Sequence, residues 1–278
     1  MSTAEFSGLL FLGSLLAGLL GALTGLGGGV VIVPLLTLVF GVDIRYAIGA
    51  SLVSVIATSS GAAAAYVREG FSNIRIGMFL EIATTLGAVF GAYLTTRVPT
   101  EAIGFVFGLL LLYSAIASYK GKHHDEGTLK PNRLAESLRL RGDYPHGGKK
   151  EEYIAQRVPA GFGLMFGAGT LSGLLGTGAG AVKVLAMDQA MALPFKVSTT
   201  TSNFMIGVTA AAGAGIYLSR GYISPELAMP VMLGVLVGAL TGAKLLVNAR
   251  VKTLRMIFSL VIVVLGIEMI VNSLTGRI

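Results

Sequence analysis

The chain has 278 residues, a mean hydropathy of +0.78, and charged side chains at only 13% of its positions. Soluble domains carry about 25% charged residues, so this composition excludes an ordinary soluble protein with a large core. The absence of cysteine excludes disulfides and thiolate chemistry, and the net charge of +7 is better explained by basic cytoplasmic loops than by nucleic-acid binding.

Five hydrophobic segments make up the first half of the chain, at 6–24, 28–40, 46–67, 74–96 and 102–119. Several have a length close to the roughly 20 apolar residues that a bilayer-spanning helix needs. The N-terminal residues lack the basic region of a secretory signal, so we expect the first segment to remain in the mature protein.

A polar insert, residues 120–158, follows and carries nine basic and six acidic side chains. The stretch Arg133–Leu140 predicts a short surface helix, and the remainder, including Pro131 and Gly147-Gly148, is predicted to be loop. All three histidines of the chain lie in this insert, which excludes a histidine metal site within the membrane. No metal and no cofactor are expected.

The second half repeats the first, with hydrophobic segments at 160–175, 179–193, 197–218, 226–248 and 254–272. A shift of 151 residues aligns the halves without a gap and places Gly25–Gly29 on Gly176–Gly180. Duplicated apolar units are a recurring plan of secondary transporters, whose ligand site lies between the halves near the bilayer midplane. The sequence therefore predicts an all-α integral membrane protein with two transmembrane repeats, 1–119 and 159–278.

The placement of charge favours inverted repeats. If each half crosses the bilayer an odd number of times and the insert is cytoplasmic, the basic loops at Arg68–Arg75 and Arg250–Arg255 both lie inside. An even number of crossings would place Arg250–Arg255 outside. We therefore expect a multi-pass protein of the inner or plasma membrane, with residues 120–158 on the cytoplasmic side.

Segments 28–40 and 179–193 are short and begin at glycine clusters, and the second contains Lys183 and Asp188. These features predict broken or re-entrant helices, which are tolerated only where the backbone lines a buried or water-filled space. Corresponding interrupted segments in both halves indicate a transport site.

Two stretches of the first half, Leu23–Leu36 and Ala47–Ser60, and their counterparts Leu175–Leu185 and Val197–Val208 carry a recognisable motif. With these motifs the chain resembles the TauE/SafE family, the sulfite exporter or TSUP-type permeases, over essentially its whole length except the insert. That family implies a multi-pass transporter that moves sulfite, sulfonates such as sulfoacetate, or other small anions, mostly outward. In the second copy Gly28 is replaced by Ala179, and Pro34 by Leu185.

An oxyanion of this kind is bound by backbone amides at helix starts, by hydroxyl groups and by a cation. Glycine lets the backbone approach the oxygens, although close helix packing is an alternative reason for glycine. The hydroxyl groups have the alternative of bonding carbonyls one turn earlier. The candidate binding residues are Gly25, Gly27, Gly28, Gly29, Ser51, Ser54, Thr58, Gly176, Thr177, Gly178, Gly180, Lys183, Thr199, Ser202 and Asn203.

Lys183 is the sharpest single candidate, because an intramembrane lysine is costly unless it is paired or solvated. It is expected to contact the anion or to carry a coupling proton; pairing with Asp188 and snorkelling to the surface are the alternatives. Glu81 and Glu268 are candidate proton-coupling residues, with interfacial or helix-paired roles as their alternatives.

The sequence predicts a transporter that exports a small sulfur-containing anion by alternating access. An importer of a small anion coupled to protons or sodium, an anion channel and a non-catalytic receptor are the alternatives. No segment holds the clustered acids, histidines or nucleophile–base pair that an enzyme needs, so no enzymatic activity is expected. The expected partners are a small anion and the lipid bilayer but no nucleic acid, and a homodimer is left open.

Overall fold

The ten predicted hydrophobic segments are all helical in the structure, a computed structural model that describes residues 3–24, 29–68, 72–120, 131–146, 149–246 and 251–277. Two of them, the short segments of each half, pass from an α-helix into a π-helical turn. The helices are α1 (Thr3–Thr24), α2 (Gly29–Pro34), α3 (Ile44–Arg68), α4 (Ile74–Thr95), α5 (Thr100–Lys120), α6 (Arg133–Ser137), α7 (Val158–Leu175), α8 (Gly180–Leu185), α9 (Phe195–Ser219), α10 (Pro225–Leu246) and α11 (Val251–Leu274).

The two short helices are interrupted in the same way. Helix α2 continues as a π turn over Leu35–Val39, and α8 continues as a π turn over Ala186–Ala190. At the helical rise of 1.5 Å per residue, each unit is about 16 Å long, roughly half of a hydrocarbon core. Pro34 ends α2 but Leu185 ends α8, so the proline is not what causes the π turn.

Elements of the two halves correspond along the chain at the predicted offset of 151 residues, which separates α2 from α8, α3 from α9 and α4 from α10. The packing corresponds as well. Helix α1 packs on α10 as α7 packs on α4, α3 contacts α10 as α9 contacts α4, and the pairs α3–α9 and α5–α11 join equivalent helices. The halves therefore interleave, because the first helix of each packs against the fourth helix of the other.

Glycines allow the closest of these helix contacts. A side chain at Gly87 or Gly91 on α4 would collide with the carbonyl oxygen of Phe166 or Thr170 on α7. A side chain at Gly238 on α10 would collide in the same way with a carbonyl oxygen on α1. Small residues at such contacts are typical of helices that pack within membranes.

In the middle of helix α4, large apolar side chains face outward and two polar side chains face inward. Met78, Ile82 and Leu86 are 57–62% exposed along one face, whereas Glu81 and Thr84 are buried. A helix on the surface of a soluble protein shows the opposite arrangement. This pattern is the one expected of a helix whose outer face meets lipid.

By length and hydropathy, two of the described helices qualify as candidate membrane spans, Ile74–Thr95 and Val158–Leu175. Two such helices are weak evidence when taken alone, because the core helix of a soluble protein also meets the criterion. The shorter apolar stretches are Glu5–Leu19, Gly29–Val39, Ile44–Ser59, Thr100–Ile116, Pro225–Thr241 and Leu260–Leu274.

The described part of the insert contains more regular structure than the sequence predicts. The short surface helix is confirmed as α6, but the predicted loop after it is wrong. Strands β1 (Arg141–His146) and β2 (Lys149–Ile154) form an antiparallel hairpin in which Tyr144 pairs with Glu151. Two glycines between short strands are a recognised hairpin signal, although Gly147 and Gly148 lie outside the described residues.

Buried tyrosines anchor the hairpin to the helical bundle. Tyr144 and Tyr153 are at most 2% exposed, and the Tyr153 hydroxyl accepts a hydrogen bond from Asn73 Nδ2 at 2.8 Å. Asn73 also caps α4, because its side chain accepts from the backbone N–H of Ile76. Burial is the main cause that raises the pKa of the Tyr153 phenol to about 12, with Asp143 adding to the effect and the Asn73 hydrogen bond opposing it. This hydroxyl is therefore neutral at physiological pH.

Candidate functional site

A chain of three polar side chains links helices α8, α9 and α4 inside the protein. Lys183 on α8 donates from Nζ to the Thr209 hydroxyl on α9 at 2.6 Å. That hydroxyl in turn donates to Glu81 Oε1 on α4 at 2.7 Å. Lys183 and Thr209 are 0% exposed and Glu81 is 8% exposed. We call these three residues the relay.

The direction of the hydrogen bonds in the relay follows from the number of protons. A hydroxyl has one proton to give, and Thr209 has both Glu81 Oε1 and the Met205 carbonyl oxygen, at 3.0 Å, within reach. Glu81 Oε1 is the nearer acceptor, so the Thr209 hydroxyl donates its hydrogen bond to Glu81. The lone pairs of Thr209 are then free to accept from the Lys183 ammonium.

Lys183 keeps unused capacity for hydrogen bonding. An ammonium has three N–H donors, and within the described part of the chain Thr209 is the hydrogen-bond partner that the structure shows. Two donors therefore remain for another acceptor. A buried cation with spare donors is suited to holding an anion that has lost its water.

Glu81 has one satisfied oxygen and one bare oxygen. Oε1 also accepts from the Thr85 hydroxyl at 3.3 Å, whereas Oε2 has no hydrogen-bond partner among the described residues. Buried polar atoms are usually paired, so a bare carboxylate oxygen is the kind of exception that calls for an explanation.

The alternatives for the charged candidates are partly resolved. Lys183 does not snorkel, because its side chain is fully buried. Asp188 is also fully buried, in the π turn that follows α8. Glu81 is buried rather than interfacial, whereas Glu268 is exposed on α11. Among the residues described there is no group of three acidic, histidine or cysteine side chains that would hold a metal ion.

The described glycines of the two motifs pack tightly. Gly25, Gly27 and Gly28 lie outside the described residues. A Cβ on Gly29 would lie 2.9 Å from the Ser51 hydroxyl, and one on Gly178 would lie 2.8 Å from Ile206. Equivalent crowding surrounds Gly176 and Gly180, at Ile48 and Ile206. Close packing of helices is therefore a sufficient reason for these four glycines.

Most candidate hydroxyl groups bond to backbone carbonyls. Ser54, Thr58 and Thr199 donate one turn back along their own helices at 2.9–3.0 Å. Ser51 instead donates across the molecule to the Gly176 carbonyl at 2.8 Å, and Ser202 donates to the Gly180 carbonyl at 3.2 Å. Thr177 accepts from the backbone N–H of Ala179 at 3.3 Å, and Asn203 is half-buried on α9.

The sequence points to Lys183 and to Glu81 separately but not to Thr209, which connects them. A signal was present, because Thr209 is the repeat partner of the candidate Thr58. The relay itself is not repeated: Ile32 stands in the first half where Lys183 stands in the second, and Met232 stands in the second half where Glu81 stands in the first. The relay therefore differs between the two halves, and its three residues lie on α4, α8 and α9.

A helical protein with an apolar exterior and a buried, charged site has the general character of a membrane transporter. The comparisons with known proteins support this class. A family model described as the sulfite exporter TauE/SafE matches residues 10–269, so the chain belongs to the TauE/SafE family.

Named relatives extend over nearly the whole chain. The probable membrane transporter protein YunE of Bacillus subtilis is 29% identical over 94% of this chain and 96% of its own. The probable membrane transporter protein MJ0441 of Methanocaldococcus jannaschii is 26% identical over 94% of each chain. Another Bacillus subtilis relative, the probable membrane transporter protein YdhB, is 27% identical over 85% of this chain and 89% of its own. No solved structure gives a significant match.

These names support a membrane location and a transporter, and they are consistent with the expectation that the chain is not an enzyme.

Proposed function

We propose that this protein exports a small sulfur-containing anion, such as sulfite or an organosulfonate, by alternating access. The observation that carries the proposal is the fully buried Lys183 ammonium, which has two donors unused by the described residues. An oxyanion could accept a hydrogen bond from each of these two donors. The sulfur chemistry of the substrate comes from the description of the family to which the chain belongs.

In this proposal the two halves are inverted repeats in a multi-pass protein whose insert faces the cytoplasm. The corresponding packing of α1 on α10 and of α7 on α4 supports it, since exchanging equivalent contacts between halves is a route to alternating access. The short helices α2 and α8 provide interrupted backbone of the kind found at transporter binding sites.

Counterflow measurements in proteoliposomes test the substrate class. Proteoliposomes that contain the purified protein are loaded with sulfite, thiosulfate, sulfoacetate, taurine or a non-sulfur carboxylate. Exchange of the internal solute with labelled external solute is then followed. We expect exchange of sulfite or an organosulfonate at saturable rates. Exchange of the carboxylate alone would show that the substrate is not a sulfur-containing anion. Single-channel currents would indicate a channel instead of a transporter.

The Lys183→Met variant tests the site, because it keeps an unbranched side chain that is only one atom shorter and removes the charge. A charge-assisted hydrogen bond contributes about 1.5–3 kcal/mol, so affinity for the transported anion should fall by about 10-fold or more. The matched control is Lys150→Met, at a lysine whose side chain is 81% exposed in the insert. Equal affinities in the two variants would remove Lys183 from the binding site.

A further inference from the structure

The two oxygens of Glu81 have different surroundings. Oε1 accepts hydrogen bonds from Thr209 and Thr85, whereas Oε2 is buried and has no partner among the described residues. A buried carboxylate that stays ionised is normally stabilised by donors on both oxygens. The bare Oε2 is a place where a proton can be held.

The charge on Lys183 has to be balanced in every state of the transporter. When Glu81 is ionised, its charge compensates the ammonium through the Thr209 hydroxyl. When Glu81 is protonated, the relay carries one uncompensated positive charge. A buried charge without a counter-ion is costly, so the protonated relay requires an anion beside Lys183.

We propose, on the basis of the anion transport inferred above, that a proton binds to Glu81 each time an anion binds to Lys183, and that the two cross the membrane together. In the empty site the charges of Lys183 and Glu81 sum to zero. On loading, a proton from water forms an O–H bond at Glu81 Oε2, and the anion replaces the carboxylate as counter-ion of Lys183. For a monovalent anion the loaded site is again neutral, and no bond within the anion changes.

The elements around Glu81 carry few other titratable side chains. Helix α7, which packs against α4, carries no titratable side chain in its sequence. Helix α9 carries Lys196 near its start and Tyr217 near its end, where the Tyr217 hydroxyl bonds to Thr95. Asp188 is the acidic residue that follows α8, and it is therefore included in the test.

The relay occurs once in the duplicated framework, so one proton accompanies each anion. The carrier then returns empty and uncharged. For a monovalent anion the direction of net flux follows the sum of the anion and proton gradients, and the membrane potential contributes no driving force. Export proceeds when the anion accumulates inside the cell beyond the opposing proton gradient.

The experiment measures proton movement in proteoliposomes that contain a trapped pH indicator. Sulfoacetate is the probe; it is a dianion at neutral pH, so its transport with one proton moves one net negative charge. Membrane potential is set with potassium and valinomycin. We expect wild-type protein to move one proton more per sulfoacetate than the Glu81→Gln variant, in which the amide imitates a permanently protonated carboxyl group. Flux through Glu81→Gln should be less sensitive to pH and should change its dependence on membrane potential by one charge.

Two matched variants show whether Glu81 is the group responsible. Glu101→Gln removes an exposed carboxylate in the first turn of α5 and should retain the proton stoichiometry of wild type. Asp188→Asn should retain it as well. Proton movement that survives in Glu81→Gln, or that is lost in Asp188→Asn instead, would overturn the proposal while anion transport stands.

A binding measurement avoids the risk that Glu81→Gln fails to fold. Calorimetric titration of wild-type protein with sulfoacetate, in two buffers with different ionisation enthalpies, gives the number of protons taken up per anion bound. We expect an uptake of one proton at a pH where Glu81 is ionised in the empty site. Binding without proton uptake would refute the coupling alone, whereas neither binding nor transport of any sulfur anion would refute the proposed function and the coupling together.

Discussion

The turn between α7 and α8 is built from residues with positive φ. Gly176, Gly178 and Ala179 have φ angles of 69°, 71° and 47°. A left-handed conformation costs a residue with a side chain about 1–2 kcal/mol of stability. Ala179 has this conformation although it stands where the first half has Gly28. The replacement of glycine by alanine in the second motif therefore does not remove the turn.

The two neighbours in this turn should respond oppositely to substitution. In Gly178→Ala the new Cβ would collide with Ile206, and the alanine would have to keep the positive φ of this position. We therefore expect a loss of about 1–3 kcal/mol in unfolding free energy. Ala179→Gly relieves an existing strain and should leave stability unchanged or raise it by up to about 1 kcal/mol. Thermal unfolding of both variants in detergent checks this; equal stability of Gly178→Ala and wild type would contradict the packing described for the turn.

At the scale of elements, the hairpin joins the insert to both halves of the bundle. Asn73, just before α4, donates to Tyr153 and to the Arg141 carbonyl, and the Gln156 N–H donates to the Met191 carbonyl after the second π turn. The insert is thus attached to the helix that carries Glu81 and to the end of the unit that carries Lys183.

The raised pKa of Tyr153 makes this attachment sensitive to alkali. Because the folded pKa of about 12 exceeds the usual value of 10.0, the neutral phenol stabilises the fold below pH 10, and that contribution is lost as the pH rises toward 12. The loss is at most about 2–3 kcal/mol. Absorbance titration of wild type minus Tyr153→Phe should show a midpoint near 12, and thermal stability should fall more steeply above pH 10 in wild type than in the variant. A midpoint near 10 would mean that the phenol is not buried in solution.

At the scale of the whole molecule, the corresponding packing of the two halves leads to a prediction about membrane topology, which chemical labelling can test. Arg97 follows α4, whereas Arg220 follows α9, the repeat partner of α3. The ends of α3 and α4 lie on opposite sides if α4 spans the membrane. Inverted repeats therefore place Arg97 and Arg220 on the same side, and parallel repeats place them on opposite sides. Both arginines are exposed, and so is Glu152 in the hairpin.

The chain contains no cysteine, so single cysteines can be labelled without background. We expect a membrane-impermeant maleimide applied outside cells to label Arg97→Cys and Arg220→Cys but not Glu152→Cys. Inside-out vesicles should give the reverse pattern. Labelling of Arg97→Cys and Arg220→Cys from opposite sides would exclude the inverted arrangement, and labelling of Glu152→Cys from outside would exclude a cytoplasmic insert.

The sequence alone determined which stretches become helices, because burial in an apolar environment selects long uncharged runs regardless of how they later pack. The segment predicted at 74–96 is the helix Ile74–Thr95, and the one predicted at 197–218 is the helix Phe195–Ser219. The offset between the halves and the interruption of the two short helices were also readable, since glycine clusters recur at a constant spacing. The hairpin was missed because its stability comes from tyrosines buried against distant helices, a contact that hydropathy does not encode.

Only the tertiary structure decided how the polar residues combine. Lys183 and Glu81 stand out singly, because each is costly in an apolar segment, but nothing local to either one points to the other. They meet through Thr209 because α4, α8 and α9 pack together, and that packing depends on the surfaces of whole helices rather than on the residues of the relay. The positions of the charged residues could therefore be predicted from the sequence. The fold alone decides that they are linked, that Lys183 keeps two unused donors among the described residues, and that Glu81 Oε2 has no partner there.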